Sequence, residues 1–135
     1  MTSVGYTTGT FDLFHVGHLN ILRTAKSLCD FLIVGVSTEE AVYYKKRKII
    51  IPFYQRVEIV RAIKYVDAVV SQTSCDKIKA YDRLKYNKLF VGDDWYGTST
   101  WDKYEKVLLP KGVSIIYVPY TEDISTTLIV EEILR

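Results

Sequence analysis

The chain has 135 residues, 48% of them hydrophobic, and carries 18 Lys and Arg against 16 Asp and Glu for a net charge of +2. Residues 1–135 therefore suffice for a single domain with one core and fall short of two ordinary domains, while the near-balance of charge argues against a cationic coat that follows nucleic acid. Cys29 and Cys75 lie far apart and form no CxxC pair, which argues against a disulfide framework or thiolate zinc site and fits a reducing cytoplasm.

The first residues, MTSVGYTTGTFD, contain no basic stretch leading into an apolar run. Nowhere does the chain reach the roughly 18 consecutive apolar residues of a spanning helix, so no membrane association is expected. Val4 to Thr8 reads as a first strand, and the loop Gly9-Thr10-Phe11-Asp12-Leu13-Phe14-His15-Val16-Gly17-His18 leads into a helix marked by Leu19, Leu22 and Ala25. Phe31 to Val36 reads as a second strand. The basic run Lys45-Lys46-Arg47-Lys48 follows, and then Phe53, Val57, Val60 and Ile63 at helical spacing. Val66 to Val70 reads as a third strand. Thr73 and Asp76 have the spacing of a capping box for a helix running towards Tyr86.

Lys88 to Val91 is the fourth strand, closed by Gly92-Asp93-Asp94-Trp95, and Val113 to Val118 is the fifth. A last helix is expected from Ser125 or Thr126, buried through Leu128, Ile129 and Ile133 and carrying a Glu131–Arg135 pair. Strands of this apolar kind alternating with helices define an α/β, Rossmann-like domain: a five-stranded parallel sheet with helices on both faces. Ligands of such sheets bind beyond the carboxyl ends of the strands, so the loops after the first, fourth and fifth strands are where chemistry is expected.

His15 and His18, the only histidines of the chain, sit three apart around Gly17 at a helix start. Unpaired N–H groups and the positive helix end make that position a receptor for phosphate. A metal site of His15, His18 and Asp12 is the competing reading, but no further histidine or cysteine cluster completes a first shell. The basic run reads alone as a solvated loop or a nuclear-targeting patch. Folded over the same sheet edge it would form a positive wall, extended by Arg56 and Lys64, beside a bound phosphate. Asp94, at a strand end, can accept from ribose hydroxyls or help to hold a metal. Thr121, Ile124, Ser125, Thr126 and Thr127 crowd hydroxyls at the last helix start, more than an N-cap needs, and suit the phosphates of a nucleoside triphosphate.

As a set these residues resemble the glycerol-3-phosphate cytidylyltransferases of the wider HxGH nucleotidyltransferase superfamily. The resemblance runs through GTFDLFHVGH at 9–18, GVSTEE at 35–40, YVDAVV at 65–70, GDDW at 92–95 and TEDISTT at 121–127. It implies transfer of CMP from CTP to a phosphorylated small alcohol, with release of pyrophosphate. By position, Thr10, Phe11 and His15 to His18 would contact CTP, Arg47 would meet the triphosphate, Tyr120 to Thr127 would form a second nucleotide loop, and Lys45 and Lys77 would hold the acceptor's phosphate. A divalent cation, usually Mg2+, and a homodimer are implied too. Tyr120 stands in place of an arginine, Asp123 in place of a glycine and Cys75 near the place of a tryptophan, which leaves the acceptor open. Adenylyl transfer and a non-catalytic nucleotide-binding regulator are the alternatives.

Overall fold

The computed structural model describes residues 2–42, 48–119, 121–122 and 124–135. Its strands are β1 (Val4–Gly9), β2 (Phe31–Ser37), β3 (Ala68–Gln72), β4 (Lys88–Gly92) and β5 (Ser114–Val118). They form one parallel sheet in the order β3-β2-β1-β4-β5. Between and after them run helices α1 (Val16–Ser27), α2 (Phe53–Arg61), α3 (Lys77–Leu84), α4 (Ser99–Leu108) and α5 (Thr126–Leu134). The α/β architecture read from the sequence is the one observed.

Strand periodicity sorts the core into two halves, because successive side chains of a strand point to opposite faces of the sheet. Leu32, Val34 and Val36 of β2 pack with Leu22 and Ala25 of α1 and Val60 of α2. Ile33 turns the other way, joining Tyr6, Leu89 and the Trp101, Tyr104 and Leu108 stripe of α4. Full burial of a side chain of this size stabilises by about 1.5–3 kcal/mol, so both faces need their helices.

The winding reverses between β1 and β4. β1 pairs with β2 along its length, from Val4↔Phe31 to Gly9↔Val36, but with β4 only at Gly5↔Lys88 and Tyr6↔Leu89. Beyond that point the Thr7 hydroxyl donates to the Phe90 carbonyl at 3.1 Å, a side chain standing in for a ladder bond. The carboxyl-terminal part of β1 is thus open towards β4, which is where a parallel sheet of this order offers a ligand crevice.

Four local readings need correction. The third strand starts at Ala68 rather than Val66, because Val66 N–H donates to the Ile63 carbonyl (3.0 Å) in a turn. α3 is capped by Asp76 rather than Thr73: the Asp76 carboxylate accepts from the N–H groups of Ile78 and Lys79 at 2.9 and 3.4 Å. α4 has no counterpart among the elements expected from the sequence, although the Thr98 hydroxyl caps it at Trp101 N–H (3.4 Å) and Trp101, Tyr104 and Leu108 form its buried stripe. In α5, Leu128 (46%) and Ile133 (71%) of the expected buried side are exposed while Ile129 is half-buried, and Arg135 pairs with Glu132 (2.7 Å) rather than Glu131.

Candidate active site

The β1–α1 loop is held by its own side chains. Phe11 (φ 54°) and Leu13 (φ 51°) both adopt left-handed backbone, a conformation that costs a non-glycine residue about 1–2 kcal/mol. Between them the Asp12 carboxylate is buried and accepts from the N–H groups of Ile50 and Ile51, each at 2.9 Å. The Phe11 ring is buried in the core beside Phe14, with centroids 6.2 Å apart. Contact of Phe11 with a ligand therefore runs through its backbone. Asp12 likewise acts as the anchor of the 50–51 segment, with both carboxylate oxygens accepting backbone N–H groups.

The two histidines form a reciprocal cap. His15 is the N-cap of α1, its Nδ1 accepting from Gly17 N–H at 3.0 Å, while His18 Nδ1 accepts from His15 N–H at 3.2 Å. The rings stack 3.9 Å apart. A ring whose Nδ1 accepts a backbone N–H carries its own proton on Nε2, so the caps fix the neutral tautomer and leave Nε2–H as the donor. Burial lowers the His15 pKa, which keeps that ring neutral. Gly17 is obligatory here: a Cβ would lie 2.8 Å from His15 Cε1 and 2.9 Å from its Nδ1.

The hydroxyl-rich turn before α5 meets this loop directly. Thr126 Oγ1 donates to the Asp12 carbonyl at 2.6 Å, and Asn20 Nδ2 donates to Thr121 Oγ1 at 3.2 Å. A Cβ on Gly17 would also come within 3.5 Å of Ile124 Cγ2, so Ile124 covers the same turn. Ser125 caps α5 by accepting from Leu128 N–H at 3.0 Å, which accounts for one hydroxyl structurally. Thr127 is exposed in the first turn of that helix.

Beside the β1 end lies a cleft of about 230 Å³ lined by Gly9, Thr10, Gln72, Lys77, Trp101 and Tyr104, among others. Lys77 is 7% exposed, and its Nζ donates to Gln72 Oε1 at 2.9 Å and to the Cys75 carbonyl at 3.2 Å. Burial lowers its pKa to about 8. An ammonium has three donors, and two are used. Gln72 is itself fixed, because its Nε2 donates to Ser37 Oγ at 2.7 Å. Gln72, Ser37, Trp101 and Tyr104 were not singled out in the sequence. Of these only the Trp101–Tyr104–Leu108 spacing left a signal.

Two cations of the expected wall belong elsewhere. Arg56 is 0% exposed: its Nε donates to the Ile51 carbonyl (2.8 Å), and one Nη donates to the carbonyls of Thr10 (2.8 Å) and Ser37 (2.7 Å). It clamps the ends of β1 and β2 to the segment before α2, with Glu39 3.4 Å away as counter-charge. Lys64 is exposed beyond the end of α2, with its Nζ 5.2 Å from the Tyr65 ring centroid. A helix returning antiparallel to the strands ends at their amino edge, which puts Lys64 at the wrong end of the sheet. Asp94 is exposed in the turn after β4, in contact range of Gly92. Lys45, Arg47 and Tyr120 lie outside the described residues. Among the described residues, no group of three or more His, Cys, Asp or Glu is arranged to hold a metal ion.

A parallel sheet with its crevice at the winding reversal, a histidine-capped helix start and an adjoining hydroxyl-rich turn define a nucleotidyltransferase. Residues 6–132 match the profile of the Cytidylyltransferase-like family, and the chain belongs to that family. It is 40% identical over 129 residues to glycerol-3-phosphate cytidylyltransferase of Bacillus subtilis (strain 168), covering 94% of each chain. Over 131 residues it is 36% identical to FAD synthase of Archaeoglobus fulgidus, covering 95% of each. Among solved structures, the lipopolysaccharide core biosynthesis protein of Thermoplasma volcanium superposes with a TM-score of 0.75 at 21% identity. That likeness covers 90% of this chain and 98% of the other, and concerns the fold.

The clamp makes a direct prediction. Arg56→Met leaves the carbonyls of Thr10, Ser37 and Ile51 without that donor and is expected to cost about 3 kcal/mol or more of stability, read as a lower urea midpoint. A variant with the parental midpoint would return Arg56 to the ligand wall.

Proposed function

We propose that the protein transfers CMP from CTP to a small phosphorylated alcohol, with release of pyrophosphate. Glycerol 3-phosphate or a related polyol, amino-alcohol or amide phosphate is the acceptor, and the product serves surface-polymer synthesis of the teichoic-acid type. The observation that carries this reading is the hydrogen bond from Thr126 Oγ1 to the Asp12 carbonyl. It ties the hydroxyl-rich turn to the histidine loop, so that one triphosphate can span both.

In this reading an acceptor phosphate oxygen attacks the α-phosphorus of the nucleotide in line with the departing pyrophosphate. The nucleophile is already anionic, so no strong general base and no covalent intermediate are required. His15 and His18 offer Nε2–H to the α-phosphate oxygens, where charge grows in the transition state. Thr10, Thr121 and Thr127, with the amides at the starts of α1 and α5, hold the remaining phosphates, and Lys77 holds the acceptor's phosphate. Lys45 and Arg47 would add charge from the basic run. The donor set fits a divalent cation such as Mg2+ only if the triphosphate itself supplies most of the ligands. When bound, that cation would neutralise phosphate charge.

Adenylyl transfer is the second reading, favoured by the 36% identity to an FAD synthase. Incubating the protein with acceptor and either CTP or ATP separates the two, since pyrophosphate should appear with CTP. Release with ATP alone would reverse the assignment. His15→Asn keeps a side-chain acceptor for the cap but removes the Nε2–H donor. Turnover in this variant and in His18→Ala is expected to fall on the order of 100-fold or more, with the unfolding midpoint unchanged in His15→Asn and lowered by about 1 kcal/mol of stability in His18→Ala, which loses its cap bond to His15 N–H. Near-normal turnover in either would remove that ring from the reaction.

Lys77 gives the pH dependence. Its pKa of about 8 means that the charge which attracts the acceptor is present below that value and is lost as pH rises through it. The acceptor KM should therefore climb between about pH 7 and about pH 9, and Lys77→Arg should flatten the rise. A KM constant over that interval in the parental protein would take Lys77 out of the acceptor site.

The bare apolar side of α5, with Ile133 71% and Leu134 79% exposed, supports a homodimer. Sedimentation should show two chains for the parental protein and one for Ile133→Glu; a parental monomer would dismiss the dimer.

A further inference from the structure

A second, smaller cavity of about 130 Å³ opens between the end of β3 and α3, lined by Tyr6, Ser71, Gln72, Thr73, Lys79 and Arg83, among others. Its floor is unusual. Tyr6 belongs to the central strand and is only 1% exposed, yet it reaches this cavity at the sheet's edge. It does so across Gly35 of the intervening strand: a Cβ at Gly35 would lie 2.5 Å from the Tyr6 hydroxyl oxygen. Gly35 therefore leaves the lane along which the phenol passes. The ring is braced by Tyr86, with centroids 5.0 Å apart. The hydroxyl at its tip donates to no described residue and opens onto the cavity, since no sealed side-chain polar atom among the described residues lacks a partner.

The groups around that hydroxyl favour an anion. Lys79 and Arg83 stand one turn apart on α3, and neither makes a salt bridge with a described residue. Asp76 also borders the cavity and offsets one of these charges while its carboxylate accepts from the Ile78 and Lys79 N–H groups, so the lining keeps a single positive charge in excess. Ser71 and Thr73 contribute hydroxyls. Burial pushes the Tyr6 pKa up to about 12, opposed by the nearby Arg83 charge, so the phenol remains a proton donor under physiological conditions.

We propose that this cavity is a second oxyanion site, distinct from the reaction centre, in which Tyr6 donates to a single phosphate-sized group that Arg83 and Lys79 neutralise. Its volume is little more than half that of the acceptor cleft, which suits a phosphate-sized group. Gln72 forms part of both cavities, with its Oε1 bonded to Lys77 on the acceptor side. An anion here lies one side chain away from the acceptor's cation. The site itself rests on its own geometry and not on the reaction assigned above.

The test is a titration of the full chain with inorganic phosphate, followed by amide resonances of Ser71, Thr73 and Lys79, with Gly17 and Leu19 reporting the histidine turn separately. A saturable shift at the first set is expected. Arg83→Gln should weaken it roughly tenfold, and the near-isosteric Tyr6→Phe about fivefold, with the response at Gly17 and Leu19 unaltered. A parallel titration with glucose 6-phosphate identifies the source. Tighter binding of inorganic phosphate marks a free-anion site and tighter binding of the ester marks a phosphomonoester site, and either upholds the oxyanion chemistry. Absence of a saturable shift at Ser71, Thr73 and Lys79, or equal affinity in parent and both variants, would overturn the proposal.

Discussion

The site depends on one buried cation. The Arg56 guanidinium reaches the carbonyls of Thr10, Ser37 and Ile51, three backbone segments that leave their elements in different directions. A carbonyl at a strand end has lost its ladder partner, and if buried without a donor it costs about 1–3 kcal/mol. Satisfying three at once fixes where β1 and β2 stop. The β1–α1 loop then starts from a fixed point, and the left-handed residues Phe11 and Leu13 can be held in place. Asp12 completes the arrangement from the other side by binding the N–H groups of Ile50 and Ile51.

The same economy governs the histidines. In an ordinary helix the N-cap is a short polar residue with no further duty. Here the cap is built from two imidazoles, so the hydrogen bonds that end the helix also choose the tautomer and lock the stacking of the rings. Preorganisation of this kind means that no reorientation is needed when charge develops on a bound phosphate.

The sequence disclosed the strands because continuous β-branched runs survive burial on two faces, and it disclosed the histidine turn because both rings and Gly17 are adjacent in the chain. It did not disclose the role of Arg56 or Asp12. Their partners are backbone carbonyls and amides, which every residue has and no residue type announces. For that reason Arg56 read as one more surface charge of a basic neighbourhood. α4 went unread because its aromatic stripe is interleaved with Asp102, Lys103, Glu105 and Lys106, and its cap stands among several other turn residues. Thr73 and Asp76 had capping-box spacing, yet Asp76 alone serves as the cap, three residues further along. Gln72 and Ser37 meet only through the pairing of β2 with β3, a contact that no local pattern contains.

The short register between β1 and β4 carries a mechanical consequence. Three strands are laced on one side of that seam and two on the other, and Gly5 and Tyr6 provide the pairing positions that join them. The ladder alone therefore holds the two halves least firmly along this line. α1 packs against strands on both sides of it, and Thr126 bonds the Asp12 carbonyl across it, so at the crevice the halves are joined by helix and loop rather than by the sheet itself.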